Sequence, residues 1–149
     1  MNCELVEVTE SDDWAAYHMI RRQELFEARG RHGIYDPNRP DERRPGMHPY
    51  LLKVDDRPVG TTRLDVRDDG TCVFRLVAVT ASEQGQGHGR VLAAMVEAKA
   101  RAHGAHTAYV NAAPTALGYY EALGWQRHVW DEAELVSIAS ECIQMRKAL

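Results

Sequence analysis

The chain has 149 residues, of which 44% are hydrophobic and 27% are charged, a balance that is typical of a single soluble globular domain. Its 18 basic and 22 acidic side chains give a net charge of −4, which argues against nonspecific binding to nucleic acid. No apolar run approaches the roughly 20 residues of a membrane span, and the acidic segment Met1–Glu10 does not resemble a signal peptide. We therefore expect one cytoplasmic domain over residues 1–149, with neither nucleic acid nor a membrane as a partner.

The three cysteines, Cys3, Cys72 and Cys142, are odd in number and widely spaced. None belongs to a CxxC pair, and none has a nearby histidine at the spacing of metal ligands. We therefore predict reduced thiols and no metal site.

The first third of the chain is predicted to hold a strand, a helix and a long loop. Cys3–Val8 is rich in apolar residues, and Ser11 follows as the N-cap of a helix that runs to about Ala28. Gly30–Pro49 contains four prolines and is predicted to be a loop. Long loops are uncommon in small domains unless they serve a site, so we expect this one to hold a short helix or to shape a substrate entrance.

Strands dominate the middle of the chain. A three-stranded meander is predicted over Tyr50–Val54, Val59–Val66 and Thr71–Thr80. The period then becomes helical over Arg90–His103, where Val91, Met95, Ala98 and Ala102 form one stripe. The remaining elements are predicted to be a strand at Thr107–Asn111, a helix at Pro114–Leu123, and strands at Trp125–Trp130 and Ile138–Arg146. This order predicts an α/β (α+β) fold around one mixed sheet.

The segment Gln84–Arg90, with the sequence QGQGHGR, joins the third strand of the meander to the long helix. Its three alternating glycines permit positive φ angles and a close approach of a ligand to the backbone. The free N–H groups at the start of the helix point to the same place, so the loop suits a pyrophosphate. Its GxGxG spacing differs from the GxGxxG of dinucleotide sites, and no P-loop Lys-Ser/Thr pair follows. A glycine turn without a ligand is the alternative.

Two motifs resemble those of the GNAT family of N-acetyltransferases. Gln84, Gly87 and Gly89 occupy the defining positions of the family's [Q/R]-x-x-G-x-[G/A] signature. Further along, Ala116–Trp125 (ALGYYEALGW) is similar to its A-x-x-F-Y-E-x-L-G-F motif. The resemblance implies a GNAT fold, in which a central, mostly antiparallel sheet of about seven strands is flanked by helices and splayed at the cofactor strand.

The same resemblance implies that acetyl-CoA binds as a co-substrate in the gap between the Val77 strand and the Thr107 strand. The residues implied to bind it are Val77, Ala78, Val79, Gln84, Gly85, Gln86, Gly87, His88, Gly89, Arg90 and Asn111. The strand would pair with the pantetheine arm and the glycine loop would hold the pyrophosphate. For Asn111, contact with the pantetheine or the substrate and a role as a helix N-cap or turn residue are equal alternatives.

Tyr120 is the catalytic candidate, because the resembled family has a tyrosine at this motif position that serves as a general acid. A phenol with a pKa near 10 can give a proton to a thiolate leaving group. The alternative is that Tyr119 and Tyr120 only pack the helix against the sheet. Neighbours on a helix point about 100° apart, so one ring can lie in the core while the other faces the gap.

The general base is not evident from the sequence. Its candidates are Asp65, Glu24, Glu27, His48 and His88, each of which has a surface or loop role as its alternative. Arg75 lies in an apolar strand, where it is expected to pair with an acid because an unpaired buried charge is too costly.

We therefore predict an N-acetyltransferase that moves an acetyl group from acetyl-CoA to a primary amine of a small molecule or protein, by direct attack in a ternary complex. A non-catalytic acyl-CoA-binding regulatory module is the alternative. The resemblance also allows a homodimer. The sequence does not specify the acceptor.

Overall fold

The computed structural model, which describes residues 1–149, contains seven strands and three α-helices. The strands are β1 (Cys3–Glu7), β2 (Met47–Val54), β3 (Arg57–Val66), β4 (Thr71–Val79), β5 (Thr107–Ala112), β6 (Gln126–Arg127) and β7 (Ile143–Ala148). The helices are α1 (Ser11–Arg21), α2 (His88–Ala102) and α3 (Leu117–Ala122). None of these helices has both the length and the apolar composition that crossing a membrane requires.

The strands form one sheet in the order β1-β2-β3-β4-β5-β7-β6. All neighbours are antiparallel except β4 and β5, which run parallel. β4 pairs with β5 only over its first four residues, Thr71 to Phe74, and the sheet is open beyond them. The predicted fold, a mixed and mostly antiparallel sheet that is splayed at β4, is confirmed.

A bulge in β4 lies where the sheet opens. The register between β3 and β4 shifts between Thr61 and Arg63, and Leu76 has a φ of 51°, in the left-handed region that non-glycine residues rarely adopt. The Thr62 hydroxyl donates to the Arg75 carbonyl at 3.0 Å and braces the bulge. This local irregularity accompanies the departure of the second half of β4 from β5.

Helices cover both faces of the sheet. On one face α2 buries Leu92, Val96 and Ala100 in a core cluster of 17 buried residues. On the other face α1 contributes Tyr17 and Ile20 to a second cluster of six. The buried stripe of α2 is therefore displaced by one residue from the predicted one, whose Val91 and Met95 are only partly buried at the edge of the core.

The helix and strand boundaries agree with the predicted ones in some places and differ in others. The first helix continues past Arg21 through a π-helical turn and a 3-10 turn to Arg29, close to its predicted end. The proline-rich loop contains a 3-10 turn at Pro40–Arg43, which confirms the expected short helix, and its last residues already belong to β2. The two closing strands are shorter than predicted, because the intervening chain leaves the sheet and forms 3-10 turns at Glu132–Glu134 and Ser137–Ala139.

Candidate active site

The glycine loop before α2 presents a set of free backbone donors. Gly85 and Gly87 have φ angles of 79° and 84°, and a Cβ at either position would meet no atom within 4 Å. None of the backbone N–H groups from Gly85 to Arg90 donates a hydrogen bond within the protein. Because these donors include the unpaired first turn of a 15-residue helix, they form a site for an anion.

The side chains of the loop brace it from within. Gln84 donates from Nε2 to the Val79 carbonyl at 2.8 Å, which closes the loop onto the end of β4. His88 is buried, and its Nε2 lies 3.3 Å from a carboxylate oxygen of Glu83. Gly89 faces Tyr119, since a Cβ there would come within 3.1 Å of the tyrosine ring. The parts of the loop left for a ligand are therefore mainly its backbone groups.

A cavity of about 700 Å³ adjoins the open end of β4, and we call it the central cavity. Its walls are the end of α1, the chain between residues 29 and 44, the ends of β4 and β5, and residues 134–142. The long loop thus forms part of the cavity wall, and its role at a substrate entrance stays a prediction. The volume lies within the roughly 300–1,000 Å³ range of small-molecule sites.

Tyr120 lines the central cavity with little of its surface exposed. Burial raises the pKa of its hydroxyl well above the usual value, so the phenol keeps its proton at neutral pH. The hydroxyl of Tyr119, by contrast, donates to the Gly89 carbonyl at 2.7 Å. The two tyrosines therefore point in different directions, as neighbours on a helix can. The Tyr119 hydroxyl links α3 to α2, and the Tyr120 ring faces the cavity.

Arg75 pairs with two acids in the cavity wall, which confirms the expected ion pairing. Its Nε donates to Asp65 at 2.7 Å, and its two Nη atoms donate to the carboxylate of Glu134 at 2.5 and 2.9 Å. Hydrogen bonding from Arg75 holds the pKa of Glu134 below its usual value. Glu134 belongs to the turn between the closing strands, so this bridge fastens the turn to the sheet.

Asn111 lies at the end of β5 and also lines the cavity. Its amide nitrogen donates to Glu134 at 3.1 Å, and its carbonyl accepts from Gln144 at 2.9 Å. Both ends of the side chain are thus engaged within the protein. The structure gives Asn111 a bracing role, and its contact with a ligand stays a prediction.

Of the five candidate bases, Asp65 is the one that lines the cavity. It is buried and held by both Arg63 and Arg75. Glu24, by contrast, accepts a hydrogen bond from the backbone N–H of Ala81, and His48 lies beside Glu7. The structure therefore brings one of the predicted acids to the cavity and leaves the other candidates outside it.

Sequence reasoning missed a buried layer of charge beneath the cavity. Arg21, Glu42 and Arg63 are each at most 5% exposed, and all three line the cavity wall. Glu42 pairs with both arginines and accepts a hydrogen bond from the Tyr17 hydroxyl at 3.0 Å. The one sequence signal was the density of charge in the first third of the chain, which is equally typical of a solvated surface.

Comparison with known proteins places the chain among acetyltransferases. The model of the acetyltransferase (GNAT) family matches residues 9–125. An acetyltransferase of the GNAT family from Staphylococcus aureus superposes with a TM-score of 0.79 at 12% identity, with 99% of each chain covered. The ribosomal-protein-S18-alanine N-acetyltransferase of Escherichia coli gives 0.75 at 17% identity, covering 99% of this chain and 94% of its own. An aminoglycoside 6'-N-acetyltransferase complexed with coenzyme A gives 0.76 at 13% identity, covering 97% and 96%. At these identities the structural likeness establishes the fold.

Proposed function

This chain belongs to the acetyltransferase (GNAT) family, a family of acyltransferases, and from that premise we propose that it transfers the acetyl group of acetyl-CoA to a primary amine in a ternary complex. The observation that carries the proposal is the run of unpaired backbone N–H groups from Gly85 to Arg90. It lies next to the second half of β4, which does not pair with β5. Coenzyme A has a pyrophosphate, which the free N–H groups of the loop can bind. It also has an extended arm with amide groups, which can pair with the unpaired backbone of β4.

The residues present fit that group. The open space at Gly85 and Gly87 leaves room for phosphate oxygens against the backbone, where a side chain would intrude. Beyond Phe74, β4 has no β5 residue opposite it, so its backbone at Val77 and Val79 is available to an extended arm, apart from the Val79 carbonyl that Gln84 occupies. We assign the loop donors, including those of Gln86, His88, Gly89 and Arg90, to the pyrophosphate, and β4 through Val79 to the arm.

Tyr120 is proposed as the general acid. The bound thioester supplies a carbonyl for the amine to attack and a thiolate to be expelled. In the overall transfer a C–N bond forms, the C–S bond breaks, the nitrogen loses a proton and the sulfur gains one. Tyr120 supplies the proton to sulfur, since a phenol carries its proton at neutral pH. A free β4 N–H near Val79 is assigned to stabilise charge on the carbonyl oxygen.

The test is product formation from acetyl-CoA with a panel of amines, amino acids, polyamines and peptides. Cys3 and Cys142 are reduced and partly exposed, so free CoA and acetylated amine are quantified by chromatography and mass spectrometry rather than with a thiol reagent. We expect equal amounts of CoA and N-acetyl product. Acetyl-CoA binding without any product across the panel would favour the non-catalytic module instead.

A further inference from the structure

Arg21, at the end of α1, lines the central cavity and carries two buried nitrogen atoms that have no hydrogen-bond partner. The side chain is 1% exposed, lies with its Cζ 4.2 Å from the centre of the Tyr17 ring, and forms an ion pair from Nη1 to Glu42. Its Nε and Nη2 are buried and have no hydrogen-bond partner. Buried guanidinium donors are costly to leave unsatisfied. The Nε–Nη2 edge of Arg21 therefore needs a hydrogen-bond acceptor from outside the protein.

The two other buried arginines of the cavity wall have no such deficit. Arg63 donates from Nε and Nη2 to the carboxylate of Asp65 at 2.7 and 2.9 Å, and from Nη1 to Asp41. Every nitrogen of Arg75 is engaged with Asp65 or Glu134. The same Nε–Nη2 edge that is empty in Arg21 therefore binds a carboxylate side-on in Arg63.

No acid of the wall contacts the Nε–Nη2 edge of Arg21. Glu42 uses one oxygen for Arg21 Nη1 and Arg63 and the other for the Tyr17 hydroxyl. Asp41, Asp65 and Glu134 are held by arginines, and Asp36 accepts a hydrogen bond from the backbone of Asn38. The lining also includes Arg29 and Arg44, which have no ion pair, so its unpaired charge is mainly positive.

We propose that the acceptor is a small primary amine that also carries a carboxylate, and that the Nε–Nη2 edge of Arg21 binds this carboxylate. The proposal rests on the proposed function and names its substrate class. The planar monoanion matches the two parallel N–H groups of the edge, as Asp65 does on Arg63. Arg21 and Tyr120 line one cavity, so a ligand held at Arg21 lies in the space that leads to the proposed reaction centre.

Access to Arg21 involves Tyr35. The Tyr35 hydroxyl and His18 Nδ1 are hydrogen-bonded at 2.5 Å, and Tyr35 lines the cavity. Burial raises the pKa of this hydroxyl, while the charge of Arg21 and hydrogen bonding to Arg21 oppose the rise. The Tyr35 oxygen therefore lies near the guanidinium, but one oxygen cannot satisfy all the N–H groups of Nε and Nη2. Because Nε and Nη2 are closed off from water, we expect the Tyr35 ring to shift when the carboxylate binds.

The test compares free amino acids with their methyl esters as acceptors, in the wild type and in Arg21→Gln. In the wild type we expect kcat/KM for the best amino acid to exceed that for its ester by roughly 10- to 100-fold. Arg21→Gln should remove this preference, so that the ratio of kcat/KM for the acid to kcat/KM for the ester falls by roughly the same 10- to 100-fold. Both enzymes receive the same pair of amines, so differences in amine basicity cancel between them.

Arg22→Gln is the matched control, since it removes the same charge from the adjacent residue, which is exposed and does not line the cavity, and the acid-to-ester ratio should stay as in the wild type. Circular dichroism and stabilisation by acetyl-CoA show whether Arg21→Gln is folded. Calorimetric binding of an N-acetyl amino acid and of its methyl ester to the CoA-bound wild type tests the site without turnover and without any variant.

The outcomes separate the two proposals. Turnover or binding that is equal for acids and esters would overturn the carboxylate site and leave the acetyltransferase activity in place. A higher rate with an aminoalkyl phosphate than with every amino acid would also overturn it. Binding of the N-acetyl amino acid but not its ester, without turnover of any amine, would retain the carboxylate site while the proposed function fails.

Discussion

Tyr120 and Tyr119 are neighbours in α3, yet their hydroxyl groups have different surroundings. Tyr119 is tied to the Gly89 carbonyl, whereas Tyr120 lines the central cavity without such a bond. A phenol in an apolar, enclosed place keeps its proton because the phenolate would lose its solvation. The fold thus holds a protonated hydroxyl at the wall of the proposed reaction space.

Replacing Tyr120 by Phe removes that hydroxyl and keeps the ring. If Tyr120 protonates the departing sulfur, turnover should fall by roughly 10² to 10⁴ while acetyl-CoA affinity stays nearly unchanged. Product formation measured over a range of pH, with affinity from calorimetry, checks this. Tyr119→Phe is the control: it loses one hydrogen bond, about 1 kcal/mol of stability, and should keep its turnover. Equal turnover in the wild type and Tyr120→Phe would remove the general-acid role.

At the scale of the elements, the loop before α2 places two glycines of positive φ, Gly85 and Gly87, directly before the N-terminus of a helix. Gly87 has a φ of 84° and is the N-cap of α2, so its carbonyl accepts from the Val91 N–H at 3.2 Å while the loop N–H groups remain free. Such an arrangement needs no basic side chain to attract an anion, because the helix dipole and the free donors act together.

Gly87→Asp should therefore abolish the binding of acetyl-CoA. A carboxylate placed against the free N–H groups would occupy the space of a phosphate and repel it. The matched control is Gly87→Asn, which brings a similar strain at positive φ but no charge, and should weaken binding less. Calorimetry with acetyl-CoA measures both variants. Wild-type affinity in a folded Gly87→Asp protein would show that the pyrophosphate binds elsewhere.

The turn at Glu132–Glu134 is an element held in place by side-chain hydrogen bonds. Glu134 receives two hydrogen bonds from Arg75 and one from Asn111, although the turn itself has only a short 3-10 segment. On the other side of this turn, Gln144 accepts from the backbone N–H groups of Trp130 and Asp131, both at 2.9 Å. Side chains rather than strand pairing therefore fix this wall of the cavity.

Glu134→Gln should lower the free energy of unfolding by about 1–3 kcal/mol at pH 7, because Arg75 loses one of its two charged partners and keeps only Asp65. The pKa of Glu134 is lowered by Arg75, so the stabilisation is fully present above the ordinary value of 4.5 and is lost as the pH falls through the lower, folded-state value. The difference between wild type and variant should thus shrink below about pH 4.5 in urea unfolding. The exposed Glu132→Gln should show no such pH-dependent difference.

For the whole molecule, the proposed binding sites for the two ligands both lie where the sheet opens between β4 and β5. The loop donors lie at the start of α2, and the central cavity lies beside the opened ends of β4 and β5. The two proposed ligands would therefore approach the opened strand from different parts of the fold. This arrangement suits direct transfer in a ternary complex, which needs both ligands bound at once.

Acetyl-CoA should stabilise the whole fold against heat. At a hundredfold excess over the dissociation constant, native-state binding adds about 2.7 kcal/mol, which for a domain of this size raises Tm by about 5–10 °C. Differential scanning fluorimetry checks this, with NAD and ATP at the same concentration expected to give no shift. A larger shift with NAD or ATP would contradict the assignment of the loop to coenzyme A.

Much of the fold was predictable because its signals are local. The meander was marked by turn residues and β-branched runs, and the glycine loop by spacings that fall within seven residues. The family motifs lie in the same local segments. The buried stripe of α2 was less determined, because Val91 and Met95 satisfy the helical period as well as Leu92 and Val96 do. Packing against the sheet decided between these two stripes.

The sequence by itself therefore determined the sheet, the long helices and the position of the glycine loop, each of which depends on neighbouring residues. Only the tertiary structure decided the central cavity. Arg21, Glu42 and Arg63 come from three separate segments and meet as buried ion pairs, for which no spacing in the chain gives a sign. Ile138 was likewise predicted to lie in a strand, but it lies in a 3-10 turn outside the sheet. The segment before it is fixed by the hydrogen bonds of Glu134 with Arg75 and of Asp131 with Gln144. Charge pairing between distant segments depends on their approach in space, and this is why the unpaired edge of Arg21 became apparent only in the folded protein.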